Sequence, residues 1–511
     1  MFLIVSYQEK VLKSFSNKIT FPPLMKSLVQ NFVFNARRKP DKLFLFTLLG
    51  LSLWVHFLFF GHPNQTVFDE VHFGKFVSGY YTGEYYFDIH PPLGKLMIAG
   101  FAKIVDFKSE YNFTEIGKEF PDKKYLALRF LPTIAGTLLP VIIFLLALQL
   151  GISKIGAFTA GLLVVFDNAL LTQSRLILLD PFLLLFGFTS LLFYFKKKYL
   201  PMAVFAGLAI SIKWTGLSFI ALPILIEMVK IIRTDLKPAI ASFRSFLKLA
   251  SFFFISIIVY FSVFILHFML LPNPGSGDAF MKHGFRENNI VKNIWDLNIE
   301  MYKSNQRLTA SHPYSSQWYA WPLMTRPIFY WVDSTRSPQV KDTARIYFLG
   351  NPVVWWTSTV AVAIGLWIMA NRLWLKFRKY SEPSSIVYGP LAVLLGGYFI
   401  NMLPFIGVNR VMFLYHYLSA LIFAIMILCY IIDGFDKSFN RERFVPRLST
   451  EGLTTSKDSL NPLRTRNNSR KIFTGIIIVA VASFLFFAPL SYGLPLSEKT
   501  YSARVWFVSW R

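Results

Sequence analysis

The sequence predicts an all-α protein that crosses a membrane several times. Of its 511 residues, 54% are hydrophobic and only 16% are charged, and the mean hydropathy is +0.46. This composition is too apolar for a soluble enzyme of this length. About eleven apolar runs approach the roughly 20 residues that a helix needs to cross the hydrocarbon layer. They lie near residues 43–61, 126–150, 155–172, 176–195, 199–213, 214–232, 247–271, 352–370, 388–405, 411–433 and 471–491.

The distribution of cations predicts the orientation of the chain, since cytoplasmic loops are rich in Lys and Arg. With the basic segment 1–42 in the cytoplasm, the Arg- and Ser-rich loop 434–470 falls on the same side. The long loops 62–125 and 272–350 then share the outer face with the tail that ends the segment 471–511. The N-terminal segment lacks an uninterrupted apolar core followed by a small-residue cleavage site, so we expect no cleaved signal peptide.

Other classes of protein fit the sequence less well. The net charge of +25 could indicate nucleic-acid binding, but the Lys and Arg residues flank apolar runs instead of gathering on a soluble module, so no nucleic acid is expected as a partner. The single cysteine, Cys429, lies in an apolar run, which predicts a buried thiol and no disulfide. A transporter or lipid flippase is an alternative, but the second half of the chain does not repeat the polar segment near residue 68, as transporter repeats would require.

Adjacent carboxylates, Asp69 and Glu70, mark the first outer loop as a candidate site. Polar residues this close to a bilayer usually have a function, although a solvated loop pair is the alternative. Over residues 93–105, apolar side chains recur every three or four positions with Lys95 and Lys103 on another face, which predicts an amphipathic helix at the membrane surface. We expect Asp69 to face a pocket roofed by this helix.

Five further polar residues stand within apolar runs or at their edges: Arg129, Arg175, Asp180, Lys213 and Arg410. Arginines gathered near a carboxylate suit a phosphate-bearing lipid, because guanidinium matches phosphate in charge and in donor geometry. A structural ion pair between Arg175 and Asp180 is an equal alternative. In the same way, Lys213 and Arg410 could simply extend to the membrane interface.

The second outer loop, 272–350, carries aromatic residues that suit sugar rings and extended peptides. His312, Tyr314, Trp318 and Trp321 lie in it, on the predicted face of the two carboxylates. We expect this loop to contact the substrate.

The histidines could suggest a metal site. However, His72, His90, His312 and His416 do not show the i, i+4 spacing of a zinc-binding helix. Neither a catalytic metal nor another cofactor is therefore expected.

Six separated motifs carry a family resemblance. In chain order they are FDEVHFGKF from Phe68, HPPLGKL from His90, SRLILLD, SIKWTGL from Ser211, SHPYSSQWYAWPL from Ser311, and NR followed by FLYHY from Asn409. This order resembles that of the protein O-mannosyltransferases, which are polytopic glycosyltransferases of the GT-C class. The likeness covers roughly residues 43–433, which would form the catalytic membrane domain. The 272–350 loop is too short to hold both the matched motif and the soluble β-trefoil module of eukaryotic members, so a prokaryotic type is the simpler interpretation.

The resemblance implies transfer of mannose from a dolichyl or undecaprenyl phosphate to Ser or Thr of a secreted or membrane protein, with inversion at the sugar carbon. It also implies a multi-pass protein of the cell membrane whose active site lies on the extracytoplasmic face, in contact with membrane lipid. Asp69 would be the base, Glu70 its essential neighbour and Arg129 a phosphate ligand. The predicted donor-phosphate site comprises Arg129, Arg175 and Arg410, and the predicted substrate-binding residues are His72, His90, His312, Tyr314, Trp318 and Trp321. An enzyme of the same fold that glycosylates a lipid or a polysaccharide is the nearest alternative.

Overall fold

The computed structural model describes residues 41–108, 110–233, 238–287, 289–309, 311–333, 342–378, 389–442 and 466–511. Almost all of the N-terminal segment 1–42, and residues 443–465 of the loop 434–470, lie outside this described part. The predicted cytoplasmic position of both segments therefore stays a prediction.

Helices make up most of the described chain. In chain order they are α1 Lys42–Phe57, α2 Glu70–Thr82, α3 Leu93–Ile104, α4 Tyr125–Gln149, α5 Lys154–Val165, α6 Asn168–Ser174, α7 Asp180–Phe195, α8 Tyr199–Ile210, α9 Leu217–Arg233, α10 Pro238–Leu270, α11 Ile290–Arg307, α12 Pro352–Phe377, α13 Pro390–Ile400, α14 Leu418–Glu442, α15 Arg466–Tyr492 and α16 Glu498–Ser502. Short 3₁₀ turns connect several of them, including Trp214–Gly216 before α9 and Trp318–Leu323 in the second outer loop.

The predicted class of polytopic helical membrane protein is confirmed. Within the described residues, seven helices are long and apolar enough to cross a membrane, or eight if α5 and α6, which meet at 59°, form one bent span. The helices α1, α7 and α8 are apolar but shorter. Each of the eleven predicted runs coincides with one of these elements, whereas the number of eleven spans stays a prediction. The thiol of Cys429 is buried in α14, as expected.

Local sequence explains where the helices near the outer loops begin and end. The Asp41 carboxylate accepts a hydrogen bond from the Leu43 N–H and caps α1. Gly83 ends α2 in the left-handed conformation, with φ of +72°, which glycine adopts at little cost. Pro92 precedes the first residue of α3, where its restricted φ favours the start of a helix.

The amphipathic helix predicted for residues 93–105 is present as α3. The prediction that Lys95 lies on a polar face, away from the apolar side chains, was wrong. Lys95 is buried together with Leu96 and Ile98, and its ammonium group pairs with Asp88. Ile104, predicted on the apolar face, is largely exposed at the end of the helix. An acidic partner seven residues earlier compensates the charge of Lys95, which the periodicity of α3 alone could not indicate.

A small antiparallel sheet, absent from the all-α prediction, lies in the second outer loop and the C-terminal tail. Strand β1, Ile328–Val332, pairs with β2, Asp342–Phe348, and β2 pairs with β3, Pro495–Ser497, in the order β1-β2-β3. The register of β1 and β2 shifts between Phe329 and Trp331, where β1 carries a bulge. The sheet therefore joins the tail to the loop that carries the predicted aromatic residues.

Candidate active site

A cavity of about 570 Å³ opens between the two long outer loops. Residues of both loops line it, so the prediction that these loops share one face of the helical bundle is confirmed. Its walls are formed by Phe68, Asp69, Val71, His72, Glu115, Ile116, His312, Tyr314, Phe329, Tyr330, Trp331 and Val332. A volume in this range suits a small ligand or a short segment of a larger one. The lining does not include α3, so the prediction that this helix roofs the pocket was wrong.

Asp69 is one of two carboxylates that line this cavity; the other is Glu115. Asp69 stands immediately before the first residue of α2, and Phe68 before it has a φ of +47°, a strained value for a residue with a side chain. Burial raises the pKa of Asp69 to about 7, against the opposing charge of Lys213. Within the described chain its carboxylate has no side-chain hydrogen bond. Asp69 is thus a half-buried carboxylate, open to the cavity and poised to exchange a proton near neutral pH.

Its neighbour Glu70 points the other way, into the protein, and is fully buried in an ion pair with Arg129. Arg129 Nε–H donates to Glu70 Oε1 at 2.7 Å, and Arg129 Nη2 donates to Glu70 Oε2 at 2.6 Å. The same carboxylate accepts the backbone N–H groups of Val67 and Ile177 at 2.8 and 2.9 Å. A solvated loop pair is therefore excluded for Glu70, whose role is to fix the start of α2.

The remaining donors of Arg129 are also occupied. They reach the carbonyl oxygens of Gly61, Pro63 and Gln65 at distances of 2.6 to 2.8 Å, and the exposed fraction of Arg129 is 0%. A guanidinium has five N–H donors in total, so none is left for a lipid phosphate. The geometry argues against the predicted phosphate contact of Arg129 and assigns it to holding the first outer loop.

Arg175 is likewise committed to the protein. Its guanidinium donates to the carbonyl oxygens of His56, Leu58 and Phe59 at the end of α1, and it lies 4.6 Å from the ring of Tyr492. Cations are favourable at the C-terminus of a helix, where carbonyl groups lack partners. The alternative interpretation, an ion pair with Asp180, is not found between these two described side chains. Arg175 is 4% exposed and held by the end of α1, which argues against a contact with phosphate.

Asp180 pairs instead with Lys213, at 2.8 and 2.9 Å from its two oxygens. The Gln173 side-chain amide donates to Asp180 Oδ2 at 2.6 Å, and the Tyr330 hydroxyl donates to Gln173 Oε1 at 2.7 Å. A continuous polar chain thus connects strand β1 to Lys213, the cation that acts on Asp69. Such fully hydrogen-bonded networks hold charged groups in one geometry.

A second group of cations surrounds His90. Burial, together with the charges of Lys213, Lys95 and Arg410, holds the pKa of His90 well below its usual value. Lys95 pairs with Asp88 and Lys213 with Asp180, so Arg410 is the cation of this group that makes no ion pair within the described residues. Its Nη1 donates to the Asn305 amide and its Nε to the Val411 carbonyl oxygen, which leaves its Nη2 end without a hydrogen bond there. Arg175 makes three of its five possible hydrogen bonds but is only 4% exposed, whereas Arg410 is half-buried and keeps its Nη2 end free within the described residues. Of the three predicted phosphate-binding arginines, Arg410 is therefore the one best placed to reach a ligand.

The predicted substrate residues are only partly brought together. His72, His312 and Tyr314 line the cavity with Asp69, as expected of substrate contacts, whereas His90 belongs to the cation group. Trp321 is completely buried, stacks on the His416 ring, and donates its indole N–H to Ser316, so its prediction as a substrate platform was wrong. Trp318 is half-buried beside it and does not line the cavity.

Sequence reasoning missed the contribution of β1. The run IFYWV at residues 328–332 is bounded by Pro327 and Asp333, and its aromatic and β-branched residues are typical of a strand. Tyr330 stacks on Phe68 with ring centres 3.9 Å apart, and the Trp331 indole donates to the Gln65 side chain. Strand β1 therefore forms one wall of the cavity and contacts the residue that precedes Asp69.

Two family models match this chain. One, described as dolichyl-phosphate-mannose-protein mannosyltransferase, matches residues 46–272, and the other, described as the C-terminal four-transmembrane region of protein O-mannosyltransferase, matches residues 290–510. Together they extend over most of the chain, including both outer loops and the cavity between them.

Curated relatives and a solved structure agree with this match. Dolichyl-phosphate-mannose–protein mannosyltransferase 4 of Schizosaccharomyces pombe is 31% identical over 54% of this chain and 40% of its own length. Protein O-mannosyltransferase 1 of Drosophila melanogaster is 33% identical over 48% of this chain and 30% of its own length. The chain thus matches less than half the length of these relatives. The fold is similar to that of the Saccharomyces cerevisiae protein O-mannosyltransferase Pmt1-Pmt2 complex bound to the sugar donor, with a TM-score of 0.80, 19% identity and 92% of each chain covered.

Proposed function

Because the chain belongs to the protein O-mannosyltransferase family, we propose that it transfers mannose from a polyprenyl phosphate to Ser or Thr hydroxyls of a protein. The observation that carries this proposal is the cavity-facing carboxylate of Asp69, whose pKa burial raises to about 7 and on which the charge of Lys213 acts. Lys213 belongs with Arg410 to the cations that act on His90. A carboxylate base and a group of cations are the two features that transfer of a sugar from a phosphate to a hydroxyl requires.

In the proposed reaction, the acceptor hydroxyl oxygen attacks the sugar carbon from the side opposite the phosphate, so the configuration inverts. Asp69 takes the hydroxyl proton as the bond to carbon forms, a step worth about 10² to 10⁴ in rate. The bond between the sugar carbon and the phosphate oxygen breaks, and its electron pair stays with the phosphate. The products are the mannosylated protein and a polyprenyl monophosphate that carries one more negative charge than the diester.

That additional charge needs a preorganised cation. We assign this role to Arg410, which has a free donor. Lys213 supports it, because the charge of Lys213 acts on Asp69 and, together with that of Arg410, on His90. Arg129, the phosphate ligand implied by the sequence motif, is instead proposed to hold Glu70 and the first outer loop in place. His72, His312 and Tyr314 are proposed to contact the sugar or the acceptor, because they line the cavity.

The location is proposed from the distribution of charge. Under the positive-inside rule, the loops that form the cavity face away from the cytoplasm, where secreted and membrane proteins would meet the site during or after translocation. The described part of the 272–350 loop contains only α11, β1, β2 and short 3₁₀ turns, which supports the type without a β-trefoil module. A cell-membrane enzyme of prokaryotic type remains our proposal.

The test is transfer of radiolabelled mannose from polyprenyl-phosphate mannose to a Ser/Thr-containing peptide by the purified full chain. Asp69→Asn is expected to lower kcat by about 10² to 10⁴ while equilibrium binding of the donor is retained. Glu115→Gln, which also removes a carboxylate from the cavity wall, is the matched comparison, and its kcat should fall far less. Transfer to a lipid or polysaccharide but not to peptide would overturn the proposed acceptor, and an active Asp69→Asn enzyme would overturn the proposed base.

A further inference from the structure

Strand β1 is an edge strand whose free edge runs along the cavity. In the order β1-β2-β3, β1 is paired on one side only. Four consecutive residues of this strand, 329–332, line the cavity. The bulge at Tyr330 interrupts the alternation of side chains between the two faces of the strand. Consecutive residues of β1 therefore border one space, and the cavity follows the strand.

Within the part of the chain that the structure describes, the backbone groups on this edge have no hydrogen-bond partner. The Asp333 N–H donates to the Ala344 carbonyl oxygen at 3.0 Å, and Val332 lies opposite Arg345. Since backbone groups alternate between the two edges of a strand in an antiparallel ladder, the Val332 N–H and C=O point away from β2. Within the described residues, 328–332 have no backbone hydrogen bond other than those to β2. Such an edge is a template on which another extended chain can pair.

The edge is held in fixed relation to the carboxylate. Tyr330, at the bulge, stacks on Phe68 at 3.9 Å with an angle of 8° between the rings, and Phe68 immediately precedes Asp69. The Tyr330 hydroxyl is anchored by Gln173, which also holds Asp180. An extended peptide on β1 would therefore lie in one register relative to Asp69.

We propose that the acceptor polypeptide binds as an additional strand along the free edge of β1, with its Ser or Thr residue placed at Asp69. The inference rests on the proposed function and specifies how that acceptor is recognised. Main-chain hydrogen bonds give affinity without reading the sequence of the peptide, and cavity residues such as His312 and Tyr314 contact alternate side chains. The five residues of β1 span about 16 Å at 3.3 Å per residue, so a segment of about five acceptor residues would be bound.

The test is a backbone scan of a short acceptor peptide with a single Thr, assayed with the unaltered full-length enzyme and polyprenyl-phosphate mannose. At each position in turn, the amide is replaced by an N-methyl amide and, separately, by an ester, since both remove the N–H donor and only the first adds bulk. The expected result is an alternating pattern: the KM for the peptide rises about tenfold at every second position, the effect of losing one hydrogen bond, and changes little between them.

A second measurement alters the enzyme. Val332→Pro removes one N–H from the free edge without touching the ladder to β2, and it should raise the KM for the peptide about tenfold while the KM for the donor stays the same. A flat scan, or one without a period of two, would overturn strand addition while leaving the proposed transfer intact. Failure of the parent enzyme to use the unmodified peptide would overturn the proposed function and this inference together.

Discussion

Replacement of Arg129 by methionine is expected to destabilise the protein instead of selectively weakening its hold on the donor. The guanidinium makes five buried hydrogen bonds, two to Glu70 and three to the carbonyl oxygens of Gly61, Pro63 and Gln65. Methionine would leave a buried carboxylate without its cation, which typically costs about 3 to 5 kcal/mol. That is a large part of the roughly 5 to 15 kcal/mol that keeps a domain folded.

Two companion variants sharpen this expectation. Arg129→Lys keeps the charge but offers three donors in place of five, so its loss of stability should be intermediate. The double variant Arg129→Met/Glu70→Gln should be more stable than the sum of the two single effects, because neither partner is left as an isolated buried charge. Two measurements distinguish an effect on stability from an effect on affinity. The first is the melting temperature of the purified proteins in detergent, and the second is equilibrium binding of the donor to the folded protein.

The opposite pattern would refute this reasoning. If Arg129→Met melts at the parent's temperature yet no longer binds the donor, the arginine contacts the phosphate, and the structural role derived from its five hydrogen bonds is wrong. Arg307→Gln is the matched comparison for loss of an arginine, since that side chain is 71% exposed in α11, outside the site. It should change neither melting temperature nor donor affinity.

Two other predictions concern charge at the site. The kcat/KM for transfer should rise with pH and level off above about 7, because Asp69 must be ionised to accept a proton; an acid limb near pH 4 would contradict this. Since the raised pKa makes the folded chain bind more protons than the unfolded one between about pH 4 and 7, Asp69→Asn should raise the melting temperature above pH 7 but not near pH 4. Arg410→Gln should raise the Kd of the donor about tenfold to a hundredfold, measured by equilibrium binding, with Arg307→Gln again unchanged.

The helical part of the fold could be predicted because the bilayer imposes a strong constraint on sequence. A spanning helix must be apolar over a nearly fixed length, and every such run here coincides with a helical element. The amphipathic segment 93–105 was also predicted correctly as a helix. The sheet was not predicted, for two reasons. Strand β1 is only five residues long, and β2 pairs with β3 in the C-terminal tail, which is far away in sequence. Only the aromatic and β-branched run at 328–332 offered a local signal.

The site could be predicted to the level of its carboxylate but not of its cations. Asp69 stands in a motif next to aromatic residues, and its position in the cavity agrees with that pattern. The partner of each cation, however, lies elsewhere in the chain: Glu70 for Arg129, and Asp180 for Lys213. A sequence shows that an arginine is near a membrane edge, but it does not show whether three-dimensional contacts have already used its donors. For this reason the sequence assigned Arg129 and Arg175 to the phosphate, whereas in the structure Arg129 has no free donor and Arg175 is buried against the end of α1.

The two adjacent carboxylates explain how one helix start can serve both stability and chemistry. Successive residues of a helix point about 100° apart, so Asp69 can face the cavity while Glu70 faces Arg129. Glu70 Oε1 also accepts the Ile177 N–H, in the segment that leads to Asp180, the partner of Lys213. Glu70 therefore couples the position of the proposed base to the position of the cation beside it, although it does not line the cavity. Glu70 would then be essential without touching the substrate. Any substitution that shortens its side chain or removes its charge would abolish this positioning role.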